Sequence, residues 1–220
     1  LSTALPPPRA ATAGGGRHVT LVTTGRNDDY MPDFARRLRS HLAWNLRHAA
    51  ASGIFVEWNP PSDRPLLSPD LCREFPGLRA YVVTPETHSR VCRNPHLQLM
   101  EYHAKNVGIR RAQTDFILAC NADIYVGPEL CRFIHRGRLA ARTVYLARRV
   151  DICWSATHRP WPQMIAPWRR VRILALDDLG PGDFLLTSRA VWEEAQGYDE
   201  SLRRHRLAVS YTHLTLPTKR

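Results

Sequence analysis

Apolar and polar positions change period several times along the chain. His18–Gly25 (HVTLVTTG), Gly53–Asn59 (GIFVEWN) and Leu78–Thr84 (LRAYVVT) are short runs rich in β-branched and aromatic residues, closed by Gly25, by Pro60-Pro61 and by Pro85. Such runs between breakers predict strands. Asp33–Ala51 places Phe34, Leu38, Leu42 and Leu46 on one helix face, and Pro32 with Asp33 suits its start. A second helix is predicted over Leu97–Ala112, with Leu97, Met100, Ala104 and Val107 aligned. Phe116–Val126 predicts a strand running into a polar turn, and Pro128–His135 a short helix opened by proline. Thr143–Ile152 predicts a further strand and Trp154–Arg170 a loop rich in Pro and Trp. Phe184–Thr187 then predicts a strand and Ser188–Gln196 a helix, with Gly197 as its stop.

Strands alternating with helices imply an α/β fold with a mostly parallel sheet and helices on both faces. Ligands of such sheets lie beyond the carboxyl ends of the strands. Thr23–Asn27, Glu57–Asn59 and Asn121–Asp123 are therefore expected to be neighbours in space. No internal repeat is visible.

Composition narrows this picture. With 220 residues, 44% hydrophobic and 23% charged, the chain can build a packed core, and no apolar run reaches membrane-helix length. The net charge of +11 is carried by arginine: of 31 basic residues, all but Lys105 and Lys219 are Arg. They are scattered along the chain, so nucleic acid is not the expected partner, while a phosphorylated small substrate suits the sign. The 5 cysteines form no Cys-x-x-Cys pair, which argues for reduced thiols and a cytoplasmic setting, at most peripheral to a membrane.

The two ends read differently from the middle. Residues 1–17, rich in Ala, Pro and Gly, are expected to be a flexible leader. Val209–Arg220 (VSYTHLTLPTKR) resembles the translation of a sequencing-library adaptor. Residues 18–206 are accordingly expected to form one domain, truncated at its C-terminal side, and 207–220 a non-native tail.

Candidate chemistry gathers at the strand ends. Asn121 and Asp123 stand two apart after a buried strand, where alternation would turn both to one side and toward one hard cation. The competing reading is a polar turn, where Asn and Asp are common. Glu57 closes the second strand, either as an acceptor for a base N–H or as an ordinary strand end. Thr24, Arg26 and Asn27 flank Gly25 and could hold phosphate or sugar oxygens, or form a polar βα turn. Lys105, Asn106 and Arg110 precede the strand that ends at Asn121, with Asn106 and Arg110 on one helix face. No G-x-G-x-x-G follows the first strand, so a dinucleotide-dependent oxidoreductase is disfavoured.

The segment AKNVGIRRAQTDFILACNADIYV resembles the core of glycosyltransferase family 2 and related GT-A enzymes, whose pattern is Ala-Arg-Asn-x-Gly, a Gly-Asp-Phe/Tyr-Ile strand and an Asp-x-Asp metal motif. Gly182-Asp183-Phe184-Leu185-Leu186 and Gly197-Tyr198-Asp199-Glu200 are similar to the family's later Gly-Gly-Phe-Asp-Glu region, and VTLVTTGRNDD and IFVEWNPPSD to its first two strands. The likeness covers residues 18–200. It implies a Rossmann-like GT-A fold that transfers a sugar from a nucleotide-diphosphate sugar to an acceptor hydroxyl with inversion, assisted by Mn²⁺ or Mg²⁺. It implies that Asp123, with Asn121, holds the metal, that Thr24, Arg26, Asn27, Glu57, Asn106 and Arg110 bind the nucleotide-sugar, and that Asp183 is a candidate base. The family's first motif aspartate is Asn121 here, and its acidic pair lies beyond Glu200. A catalytically inactive nucleotide- or partner-binding domain of the same fold is the alternative. Trp154, Trp161 and Trp168 are candidates to stack on a sugar face, or to cover the sheet edge.

Overall fold

A computed structural model describes residues 18–28, 30–137, 139–147 and 183–201. The expected leader, the Trp-bearing loop and the tail lie outside these residues.

Five strands form one sheet: β1 (Val19–Gly25), β2 (Ser52–Trp58), β3 (Leu78–Val83), β4 (Phe116–Cys120) and β5 (Phe184–Ser188). Their order is β3-β2-β1-β4-β5, with the first four parallel and β5 antiparallel to β4. The mostly parallel α/β architecture is thus the one expected. Six described helices connect them: α1 (Phe34–His48), α2 (Ser68–Glu74), α3 (Pro85–Val91), α4 (Glu101–Ile109), α5 (Pro128–His135) and α6 (Arg189–Glu194).

Burial on both faces explains the near-continuous apolar strands. On one face Leu21, Phe55, Leu118 and Leu186 pack with Leu38, Leu42 and Leu71 of α1 and α2. On the other, Val22, Ile54, Val56, Ile117 and Leu185 pack with Ala104, Ile109 and Trp192 of α4 and α6. Leu38, Leu42 and Leu118 are fully buried, and truncating one of them to Ala costs about 2–5 kcal/mol. Gly108 lets α4 lie flat on the sheet, since a Cβ there would stand 2.5 Å from Val22 Cγ1.

Several boundaries differ from expectation for identifiable reasons. β4 stops at Cys120 because Asn121–Ile124 turns back on itself, with Ile124 N–H donating to the Asn121 carbonyl at 3.2 Å. α4 begins at Glu101 rather than Leu97. α2 and α3 escaped the pattern reading because each is a single Pro-led segment of 7 residues, too short to show a period. In place of the strand expected over Thr143–Ile152, Tyr145 makes one isolated bridge to Leu186, and residues from 148 lie outside those described.

Candidate functional site

The parallel strands bring three loops to one rim, and hydrogen bonds fasten the first two together. Gly25 stands beside Glu57 in the ladder. Arg26 donates from Nε to the Asn59 carbonyl and pairs with Asp28, both at 2.5 Å. Asn27 Nδ2 reaches the Pro65 carbonyl at 3.0 Å. Asn59, in the left-handed region at φ 47°, donates to the carbonyl and side-chain oxygens of Gln98. Trp58 Nε1 donates to His88 Nδ1 at 2.9 Å, and burial, then the nearby Arg26 charge, lowers the His88 pKa. Thr24 is buried within β1 beside Val56.

Glu57 sits deeper than a ligand-reading acceptor would. It is fully buried, and its two oxygens accept from Leu67 N–H (2.8 Å), Ser68 N–H (2.9 Å) and Ser68 Oγ (2.6 Å). A carboxylate facing the first amides of α2 satisfies donors that the helix itself leaves open. The observed role of Glu57 is therefore to anchor α2 under the rim.

Asn106 and Arg110 are likewise engaged away from the rim. Buried Asn106 clamps one backbone residue from both sides: Oδ1 accepts from Tyr198 N–H at 2.8 Å and Nδ2 donates to the Tyr198 carbonyl at 2.9 Å. Nδ2 also reaches Glu200 Oε1, to which Arg110 donates at 3.1 Å. Arg110 caps the C-terminal end of α4, which lies by the start of β3, where Arg79 donates to the Arg111 carbonyl. That is the end of the sheet opposite to the rim, because Arg79 pairs early in the ladder with Ile54.

The third loop, after β4, carries Asn121 and Asp123. α1 holds it from behind. His41 Nδ1 and Asn45 Nδ2 both donate to the Ile124 carbonyl, at 2.7 and 2.8 Å. Val126 N–H donates to Asn45 Oδ1 at 3.0 Å, and Trp44 Nε1 to the Val126 carbonyl at 2.8 Å. These contacts leave Asp123 exposed at the surface. Asn121 N–H donates to the Asp183 carbonyl at 3.0 Å, so the start of β5 adjoins this loop, and Asp183 itself is buried.

Sequence reasoning noted Lys105 without assigning it a role. Its ammonium is fully buried and bridges Glu101 Oε1 and Asn121 Oδ1, each at 2.6 Å. The turn after Cys120 breaks strand alternation, so Asn121 faces inward to Lys105 while Asp123 faces out. Asn121 Oδ1, one of the two oxygens expected to share a cation, is thus taken up by the Lys105 ammonium. Both Asp123 and Asp183 act on the buried Cys120 thiol, whose pKa burial pushes up to about 12. Tyr198, fully buried under Lys105, has its hydroxyl pKa raised by burial and then by Glu101. Among the described residues, no three His, Cys, Asp or Glu side chains gather as a metal cage. The donor set fits a cation that arrives on a diphosphate and meets one carboxylate, Asp123.

No helix among the described residues is long and apolar enough to cross a membrane. Neither the family models nor the curated proteins contain a match. Solved structures do. The mannosyltransferase PcManGT from Pyrobaculum calidifontis, solved in complex with GDP-Man and Mn²⁺, aligns over 84% of this chain and 48% of its own, at 14% identity and TM-score 0.50. TarS residues 1–349 from S. aureus aligns over 86% of this chain and 52% of its own, at 14% identity and TM-score 0.51. The chain thus spans about half the length of these structures. It carries their fold, the Rossmann-like GT-A glycosyltransferase fold.

Proposed function

We propose that this chain is the nucleotide-binding part of a glycosyltransferase that moves a sugar from a nucleotide-diphosphate sugar to an acceptor hydroxyl, with inversion. The observation that carries the reading is the rim: an exposed Asp123 on a loop clamped by α1, at the same end of the sheet as the cross-linked loops of Arg26 and Asn59. The likeness to a mannosyltransferase solved with GDP-Man and Mn²⁺ supports it.

In this reading Thr24, Arg26 and Asn27 form the wall against which the nucleotide lies, with Arg26 held in place by Asp28 and Asn59. Asn106, Arg110 and Glu57 shape the site indirectly, through Tyr198, Glu200 and α2. Asp183, whose backbone adjoins the Asn121 loop, takes the acceptor proton in this reading. The acceptor oxygen bonds to the anomeric carbon, the bond from that carbon to the diphosphate oxygen breaks, and the proton moves to the carboxylate. A divalent cation on the diphosphate would offset the negative charge that grows on the leaving group, and Asp123 would hold it. The second reading, a nucleotide-binding domain without turnover, draws on the engagement of Asn121 with Lys105.

Thermal unfolding with UDP- and GDP-sugars, with and without Mn²⁺, tests the proposal. A ligand selective for the folded state raises the midpoint. Stabilisation that requires Mn²⁺ and vanishes in Asp123→Ala is the expected result. The absence of any nucleotide-dependent shift refutes both readings. A shift without sugar release selects the second.

A further inference from the structure

We infer that Asn121 is not a metal ligand but a hydrogen-bond donor toward an oxygen of the bound nucleotide, and that Lys105 is the positioning residue that orients it. The inference rests on the proposed nucleotide site for the identity of the ligand, and on chemistry alone for the orientation.

An ammonium has three donors and no acceptor. The Asn121 atom 2.6 Å from Lys105 Nζ is therefore the carbonyl oxygen, whichever way an amide might otherwise be placed. Lys105 is fully buried and also holds the Glu101 carboxylate, at 2.6 Å. A buried charge is stable only while its partners stay in place, so the pair fixes the amide. With Oδ1 turned inward, Nδ2 faces the opposite way, and Asn121 is half-buried rather than sealed. Among the described residues no partner accepts from that Nδ2. An N–H donor cannot ligate a cation, and the ammonium behind Oδ1 repels one. What the amide can do is donate to an electron-rich oxygen of a phosphate or a ribose. The position where the resembling family has a carboxylate thus changes from acceptor to donor, and the fixed positive charge behind it belongs to the protein itself.

The test uses the 220-residue chain and two probes. Mn²⁺ alone is titrated by electron paramagnetic resonance into wild type, Asn121→Ala, Lys105→Met and the double variant. Asn121→Ala should bind Mn²⁺ within twofold of wild type. Lys105→Met, which frees Oδ1 and removes the cation, should bind it at least fivefold tighter, and the gain should disappear in the double variant. A lysine that served stability alone would not produce that gain. Mn²⁺ bound at least fivefold more weakly by Asn121→Ala, or no more tightly by Lys105→Met, overturns the inference. GDP is titrated calorimetrically in excess Mn²⁺ into wild type and Asn121→Asp, an isosteric change that keeps the Lys105 contact. The aspartate should weaken GDP at least tenfold, since it replaces a donor with a negative acceptor. Unchanged GDP affinity overturns the donor role, including in the event that Lys105→Met does not fold. The same titration with guanosine distinguishes the oxygen: a loss confined to GDP assigns it to phosphate, an equal loss to ribose. A wild type that binds no nucleoside diphosphate refutes the proposed function instead, and the Mn²⁺ arms still decide how Asn121 is turned.

Discussion

Mild acid should loosen the Asp123 loop through one residue. His41 is fully buried on α1, with Nδ1 donating to the Ile124 carbonyl and Nε2 without a partner. Burial lowers its pKa from the ordinary 6.5 to about 4, and the hydrogen bond to Ile124 only partly opposes this. The folded protein therefore keeps His41 neutral in a range where the unfolded chain takes up a proton. The stability this neutrality protects is complete above the unfolded value and is lost as pH falls from 6.5 towards 4. Linkage puts the loss at about 2.5 kcal/mol by pH 4.5 and at only about 0.2 kcal/mol at pH 7. His41→Leu removes the titration and one hydrogen bond, while the Ile124 carbonyl keeps its bond from Asn45. At pH 7 the variant should be less stable by about 1 kcal/mol. At pH 4.5 the order should reverse, with the two curves crossing between pH 6 and 5. Urea unfolding of both proteins at 25 °C across this range measures the difference, in which the carboxylate titrations common to both cancel. Parallel pH profiles for the two proteins would refute the reasoning.

Two further substitutions probe the frame around the rim. Glu57→Gln should lower unfolding free energy by about 2–4 kcal/mol, because an amide NH₂ must then face a helix-start donor, while GDP affinity stays within twofold; a large affinity loss with little change in stability would show that Glu57 reads the base instead. Gly197→Ala should cost at least about 2 kcal/mol in the same assay, because Gly197 has φ +89° and its added Cβ would fall 2.3 Å from Asn106 Oδ1. A near-neutral Gly197→Ala would mean that the Asn106 clamp on Tyr198 adjusts freely.

The framework was readable in the sequence because its signals are local. Runs such as Gly53–Asn59 and the first part of Phe116–Val126 are largely apolar and bounded by breakers or polar turns, which suits a buried parallel strand. The single helix period over Phe34, Leu38 and Leu42 was equally plain. The rim of the sheet followed from topology, since a parallel sheet exposes its strand ends on one side. What each rim residue does was not local. Glu57 meets α2 across 10 positions, Asn106 meets Tyr198 across 92 and Lys105 meets Asn121 across 16. No pattern within a window encodes such pairings.

The Asn121–Lys105 contact shows how far that matters for function. Read along the chain, Asn121-Ala122-Asp123 is a metal motif with one charge missing. Read in three dimensions, a positive charge from another element meets Asn121 Oδ1, and the backbone turns at Ile124. A neutral amide facing a buried ammonium is stable where a resident divalent cation would not be, because two positive charges a few ångströms apart in a poorly hydrated pocket repel strongly. Lys105 stands where the resembling pattern has arginine, so the departure lies at position 121, where an amide faces that cation instead of a carboxylate. In the proposed reading the exposed Asp123 is the carboxylate of this loop that meets the cation.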